Sequence, residues 1–308
     1  MESEKTTRQF NPQGLMNEPV GYKERNMKEN TDCTFLLSSY DGGEDLWEGF
    51  FTALKIQWPE MDMPIVLNTE TKSYTFPGFD IKTYGLCTKC KMPWAKRLKE
   101  TLKRIDTNYV LLFLEDYWLD DRVDDAYFRN SLEWLKANKD ISTISYYPCM
   151  PGMNIQDGAF DRMELRPQKC EYKLNCQVAL WRREKLIAYL RNHENPWEWE
   201  VWGSIRAGRY KGRFYTLQEG AKPVFSYGDP NVGCLVHRGK WVKDVAVPLC
   251  AKYNLKVDFS IRGFENFEKK STGDNVEKTL IEKLQQPDAV EKIKQMLVDY
   301  FRKFKSMI

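Results

Sequence analysis

The chain has 308 residues, a formal net charge of +3, 42% apolar residues and 14% aromatic residues, enough apolar material for one large α/β domain or two small ones. Near-balanced charge excludes the broad basic footprint of a nucleic-acid binder. No apolar run approaches the length that crosses a bilayer, and the polar opening MESEKTTRQFNPQGLMNEP lacks the apolar region of a signal peptide, so a cytoplasmic protein is expected.

Residues 1–31 are polar and carry no period, which predicts an arm outside the folded core. A first buried strand is expected over 34–38, followed by the loop SSYDGGEDL with its two glycines. The apolar spacing Leu46, Phe50, Leu54 and Trp58 behind Asp45 predicts a helix over 44–57. A second buried strand follows over 63–68. Leu98, Leu102 and Ile105 share one face between Lys96, Arg97, Lys99, Lys103 and Arg104, predicting an amphipathic helix over 94–105. Residues 109–114, YVLLFL, form a charge-free run, the habit of a strand buried on both faces of a parallel sheet. This β-α-β-α-β order implies a mostly parallel sheet with helices on its faces.

The second half reads as a helix over 125–138, a strand over 141–147, and a loop or short hairpin over 152–166. A strand over 174–181 and a helix over 183–191 come next. Pro196 in HENPWEWEVWGS is read as breaking that helix and imposing an extended or turn entry. Helix is expected again over 201–207, with short strands over 214–217 and 232–236. From residue 275 onward, Val290, Ile293, Met296, Leu297, Tyr300, Phe301 and Phe304 recur at helical spacing among Lys292, Lys294, Arg302, Lys303 and Lys305. That stripe fits core packing better than a lipid interface, since Glu291 and Asp299 interrupt the basic face. Of eight cysteines, Cys87 and Cys90 form a lone CxxC with no second pair, so no structural zinc is expected. The others read as reduced core residues.

Three segments carry candidate chemistry. Glu115 and Asp116 end the 109–114 run, and ligands of open α/β sheets lie beyond the carboxyl ends of the strands. The Ser38, Ser39, Tyr40, Asp41 loop offers hydroxyls, a ring and a carboxylate, with glycines that let a ligand approach the backbone. Glu198 and Glu200 sit among Trp197, Trp199 and Trp202, and an apolar surround raises a carboxylate's pKa toward that of a useful base.

The SSYDGG loop, the stretch WAKRLKETLKRIDTNYVLLFLEDYWL and the ENPWEWE segment together resemble bacterial nucleotide-sugar glycosyltransferases of the GT-A fold, of the surface-polysaccharide type, over roughly residues 32–245. The resemblance implies a Rossmann-type, mostly parallel central sheet flanked by helices, spanning 32–262, and a C-terminal helical extension over 263–308. It implies sugar transfer from a nucleoside-diphosphate sugar to a hydroxyl of a glycan or lipid-linked acceptor, near the membrane if the C-terminal helix touches lipid. Ser38, Ser39, Tyr40 and Asp41 match the loop that holds the base and ribose. Glu115 and Asp116 stand at the family's Asp-x-Asp position, here Glu-Asp-Tyr with no acid in third place. A divalent cation, Mn²⁺ or Mg²⁺, is implied on Asp116, with His237 as a further ligand. Arg238 and Lys240 would neutralise the diphosphate. Glu198 or Glu200 matches the catalytic base; Glu200 is preferred because Gly203 and Ser204 follow it. Two alternatives stay open: a non-catalytic carbohydrate-binding protein of the same fold, and a sugar-phosphate nucleotidyltransferase, which ranks lower because SSYDGGEDL has no basic residue.

Overall fold

The computed structural model describes residues 32–87, 91–228 and 234–265. The expected N-terminal arm, Cys90, the start of the strand expected at 232–236 and the amphipathic C-terminal helix lie outside these residues.

In chain order the elements are β1 (Cys33–Ser38), α1 (Glu44–Gln57), β2 (Ile65–Asn68), β3 (Ile81–Lys82), α2 (Trp94–Leu102), β4 (Tyr109–Leu114), α3 (Asp125–Ala137), β5 (Ile141–Ser145), β6 (Met163–Leu165), β7 (Ala179–Arg182) and α4 (Arg183–Tyr189). A helical segment follows: α5 (Pro196–Glu198), a π-helical turn (Trp199–Gly203) and α6 (Ser204–Ala207). After it come β8 (Arg213–Leu217), β9 (Val236–His237), β10 (Lys240–Trp241) and α7 (Lys243–Lys252).

Eight strands form one sheet in the order β3-β2-β1-β4-β7-β5-β8-β6. β3, β2, β1 and β4 are parallel, β7 runs antiparallel between β4 and β5, β8 is parallel to β5, and β6 closes the edge antiparallel. The expected mostly parallel sheet flanked by helices is therefore present. β1, β2, β4, β5 and β8 all point the same way, so Ser38, Asn68, Leu114, Ser145 and Leu217 end along one edge. The register pairs Ser38 with both Asn68 and Leu114, which brings the loops after β1, β2 and β4 together.

One apolar layer packs α1 and α3 against the sheet around Phe35, Phe50, Trp58, Phe113 and Phe128. The other packs Leu98, Leu102, Trp181, Leu186, Tyr189 and Trp199 on the opposite face. β1 and β4 are buried almost throughout, which is why they read as continuous apolar runs rather than alternating ones.

Two expectations are corrected and one open alternative is decided. The strand expected over 174–181 holds only from Ala179. Upstream, Leu174 N donates to Ser204 Oγ (2.9 Å) and Cys176 N to Glu200 Oε1 (2.8 Å), so these amides are taken by the neighbouring helical segment instead of a ladder. The 152–166 segment is a short hairpin, with Ile155 bridging Leu165. ENPWEWE is helical, not extended. Pro196 occupies the first turn, where its missing N–H costs nothing and its fixed φ suits the helix, and Asn195 caps it: Glu198 N donates to Asn195 Oδ1 while Asn195 N donates to Glu198 Oε2. β3 and α7 were not anticipated; β3 is two residues long and α7 carries Pro248 inside it, so neither shows a clean period.

A candidate active site at the carboxyl edge of the sheet

The loop after β1 is built inward before it is built outward. Ser38 and Ser39 are buried, and their hydroxyls accept from indoles: Trp94 Nε1 to Ser38 Oγ at 3.2 Å and Trp47 Nε1 to Ser39 Oγ at 2.8 Å. Asn68 and Thr101 extend this network, Thr101 Oγ1 donating to Asn68 Oδ1 at 3.0 Å. Both serines thus anchor the loop, and what they offer a ligand is backbone. Tyr40 is the exposed member, and its ring lies over Gly42, where an added Cβ would meet Cε2 at 2.6 Å.

Asp41 locks the β1 loop to the β2 loop. Its carboxylate accepts from the backbone N–H groups of Glu70 (3.1 Å), Thr71 (3.0 Å) and Lys72 (3.2 Å) and from the Thr71 hydroxyl. Asp41 N donates in turn to Glu70, which also pairs with the buried Arg97, and Arg97 Nη2 reaches Ser39 O at 2.6 Å. Burial alone would raise the Asp41 pKa, but the Thr71, Lys72 and Glu70 donors outweigh it and hold the carboxyl at about 2. With a folded pKa below the unfolded one, Asp41 contributes stability that is present above about pH 4 and lost as pH falls toward 2. Asp41→Asn is expected to flatten the stability–pH curve in that acid window, measured by urea unfolding between pH 2 and pH 5; an unchanged curve would remove this role.

Glu115 and Asp116 leave β4 in opposite directions. Glu115 turns toward the β1 loop: a Cβ on Gly43 would lie 3.1 Å from Glu115 Oε1 and 3.0 Å from Ser39 Oγ, so Gly43 is what lets the carboxylate approach. Asp116 turns toward the stacked rings of Tyr117 and Tyr227, 4.6 Å apart, and toward Cys176 and Cys234. Its Oδ1 is buried and accepts no hydrogen bond among the described residues. Burial raises both carboxyls, and the Asp116 charge raises Glu115 further, while Arg262 opposes the rise in both. An adjacent pair of half-buried carboxyls with pKa values raised in this way holds a proton near neutrality unless a cation compensates it.

Glu200 faces the same region from the helical segment. Its Oε1 accepts from Cys176 N, and burial raises its pKa against the two hydrogen bonds from Cys176. Cys176 is thus hydrogen-bonded to Glu200 and lies near enough to Asp116 to feel its charge. Glu198, by contrast, is exposed and spends its carboxylate on the cap.

The late hairpin carries His237, Arg238 and Lys240. Arg238 (φ 49°) and Gly239 (φ 82°) form the two-residue turn between β9 and β10, a left-handed pair of conformations suited to such turns. Arg238 and Lys240 are exposed at its tip. Leu235 N donates to Asp116 O at 3.0 Å, so the hairpin starts against the acid pair. His237, however, lies with Nδ1 4.0 Å from Glu265 Oε1, and no group of three or more His, Cys, Asp or Glu side chains converges to hold a metal ion among the described residues. The implied partnership of His237 with Asp116 therefore stays a proposal, with the hairpin backbone tied to Asp116 at Leu235.

Sequence reading missed Arg262. It grips Asp45 through two hydrogen bonds (2.7 and 2.5 Å), donates to Gly42 O at 2.8 Å, and lies 3.5 Å from the Tyr40 hydroxyl. It stands 220 positions from Gly42, so no local pattern could reveal it.

The chain matches no protein-family model and no curated protein. Among solved structures it is similar to a mannosyltransferase from Pyrobaculum calidifontis, in complex with GDP-Man and Mn²⁺ (TM-score 0.41, 14% identity, 61% of this chain and 55% of that one). It is also similar to TarS residues 1–349 from S. aureus (TM-score 0.44, 11% identity, 75% and 68%), and to a cytidylyltransferase from Leptospira borgpetersenii (TM-score 0.37, 10% identity, 64% and 82%). The chain spans about half the length of the mannosyltransferase. No helix among the described residues is long and apolar enough to cross a membrane.

Proposed function

We propose that the protein transfers a sugar from a nucleoside-diphosphate sugar to a hydroxyl, with a glycan or lipid-linked acceptor of surface-polysaccharide synthesis as the substrate class. The observation that carries this reading is the half-buried pair Glu115 and Asp116 at the carboxyl ends of the central parallel strands, with one Asp116 oxygen fully buried, and a third half-buried carboxylate, Glu200, hydrogen-bonded to the backbone of Cys176. Ligands of open α/β sheets bind at this edge.

The Tyr40 ring and the backbone of the Ser39–Gly43 loop accommodate the base and ribose. Asp116, with its unpartnered oxygen, and Glu115 are the residues that would hold a divalent cation; Mg²⁺ and Mn²⁺ sites commonly use one or two carboxylates and complete their shell with substrate phosphates. Such a cation, when bound, neutralises charge on the diphosphate. Arg238 and Lys240 at the hairpin tip offer further positive charge toward a leaving group. Glu200 takes the proton of the acceptor hydroxyl as it attacks the anomeric carbon. Its raised pKa brings it closer to the operating range of a base than an exposed carboxylate.

Glu200→Gln is expected to lower transfer by about a hundredfold to ten-thousandfold. Glu198→Gln should leave turnover unchanged and cost no more than about 1 kcal/mol through a weakened cap. Steady-state rates of both variants decide the assignment; equal rates for wild type and Glu200→Gln would remove Glu200 from the chemistry.

One observation favours a second reading, sugar-phosphate nucleotidyl transfer. Arg97 and Arg262 bring to the SSYDGG loop the positive charge its sequence lacks. Both are held by acids, Glu70 and Asp45, which ranks this reading second. The two separate by product. A panel of nucleotide sugars, with and without Mn²⁺, should yield nucleoside diphosphate, whereas pyrophosphate from a nucleoside triphosphate and a sugar 1-phosphate would establish the second reading. Binding of a nucleotide sugar with neither product would identify a non-catalytic binding protein.

A further inference from the structure

Beyond the acid pair along the same edge lies a small polar cavity on the α4 face of the sheet. Thr143, Ser145, Arg166, Lys173, Asn175 and Thr216 contribute its polar lining. All of these but Asn175 are almost wholly buried, among them Lys173 at 3% exposed, Arg166 at 4% and Ser145 at 6%. Two buried cations share this space and neither forms an ion pair among the described residues. Lys173 Nζ donates to Pro167 O at 2.7 Å and lies 4.6 Å from the Phe214 ring centre. Arg166 spends both terminal nitrogens on Cys149 O (2.7 Å), Asn154 Oδ1 (2.9 Å) and Glu171 O. Glu164 is linked to it through Asn154.

Two polar atoms of the lining are left over. Arg166 Nε and Ser145 Oγ are buried and have no hydrogen-bond partner among the described residues. An unpaired buried charge and unsatisfied buried donors each cost stability. Here they are gathered at one cavity, and all of them complement an anion. Burial, the larger influence, and then the neighbouring Arg166 against Cys170, bring Lys173 down to about 8, so a bound anion would favour its charged form.

We propose that this cavity is a subsite for the carboxylate of an acidic sugar, held by Lys173, Arg166 Nε and Ser145 Oγ. The guanidinium edge and hydroxyl suit a small planar oxyanion, and the cavity is too small for a whole sugar ring, so the ring lies outside it. Ser145 ends β5, two strands from the end of β4, which is about 10 Å at ordinary strand spacing. Cys149, whose carbonyl holds Arg166, also lies close enough to Glu200 to feel its charge. A sugar anchored by its carboxylate here would lie at the same edge of the sheet as Glu115 and Asp116. Calling that sugar part of the acceptor rests on the transfer reading; the binding itself does not.

The test is calorimetric titration of the full chain, without nucleotide, using glucuronate, glucose and inorganic phosphate. Glucuronate is expected to bind and glucose not to. Lys173→Met, which keeps the side chain's length without its charge, should weaken glucuronate at least tenfold, and Ser145→Ala should weaken it less. If Lys173→Met fails to fold, as judged by circular dichroism, Ser145→Ala decides alone. Asp116→Asn should bind glucuronate as wild type does. Absence of glucuronate binding, binding indifferent to these substitutions, or phosphate binding more tightly than glucuronate would each overturn the proposal. Glucuronate binding in a protein that turns over no nucleotide sugar would uphold the subsite and sink the transfer reading instead.

Discussion

Asp116→Asn is expected to reduce sugar transfer by at least about a hundredfold, the scale lost when a preorganised charge at a reacting centre is removed, while raising stability at neutral and alkaline pH. The two effects have one cause. Asp116 sits beside Glu115 with a buried oxygen that nothing among the described residues satisfies, an arrangement that is unfavourable for the protein alone and useful to a ligand. The folded pKa values of both acids are raised above their unfolded values, chiefly by burial. Their favourable contribution is therefore complete below about pH 4, where the unfolded carboxyls are protonated, and declines as pH rises until the folded pair has lost its protons. Asparagine removes one of the two charges and most of that decline. Melting temperatures of wild type and variant between pH 4 and pH 8.5 should converge at the acid end and separate at the alkaline end, with the variant higher. Added Mn²⁺ should stabilise the wild type and not the variant. A folded Asp116→Asn protein with wild-type turnover would end the assignment of Asp116, and a variant less stable at pH 8 would mean that its charge is compensated in the folded state.

Gly49→Ala is expected to be the most damaging small substitution in the first half of the chain. Gly49 lies in the middle of α1, where glycine normally costs about 1 kcal/mol relative to alanine, so an exposed site would gain from the change. Here the ring of Trp118 lies directly on the glycine: an added Cβ would stand 2.0 to 2.5 Å from three of its ring carbons. Trp118 is 1% exposed and packs edge-on against Trp241, 6.2 Å away, so the ring has nowhere to go. Overpacking of this kind costs about 1–3 kcal/mol and occasionally more. We expect a net loss near the upper end, about 2 kcal/mol or more after the helix gain, lowering the melting temperature by several degrees. Trp118 follows the acid pair by two residues, so the displaced ring should also disturb Glu115 and Asp116. Loss of stability accompanied by loss of nucleotide-sugar binding is the expected pattern, read by thermal unfolding and by titration with the donor. A variant at least as stable as wild type would show that the ring moves freely.

The core strands were legible because burial on both faces leaves an uninterrupted apolar run, and Tyr109–Leu114 met its predicted limits. The helix Glu44–Gln57 was legible because its apolar stripe and its acidic first turn agree. ENPWEWE was misread because a proline was taken as a stop, although Asn-Pro-x-Glu is also a helix start, with the cap and the first-turn proline both in place. Glu198 and Glu200 differ because one caps the helix and the other reaches Cys176, a distinction that Gly203 and Ser204, the reason for preferring Glu200, do not carry.

By itself, the sequence determined the elements whose signals are local: buried runs, helical stripes, the acids at a strand end and the glycines beside them. Only the tertiary structure decided which side chains remain available to a ligand. Ser38 and Ser39 looked free and are engaged by tryptophans, Asp41 looked like a ribose contact and binds the β2 loop, and His237 faces Glu265. Conversely Arg262, Lys173 and Arg166 carried no local signal and stand at the candidate sites. The physical reason is that a polar group's use depends on which partners satisfy it. In this fold those partners come from strands and loops brought together by the sheet order, often more than fifty residues apart.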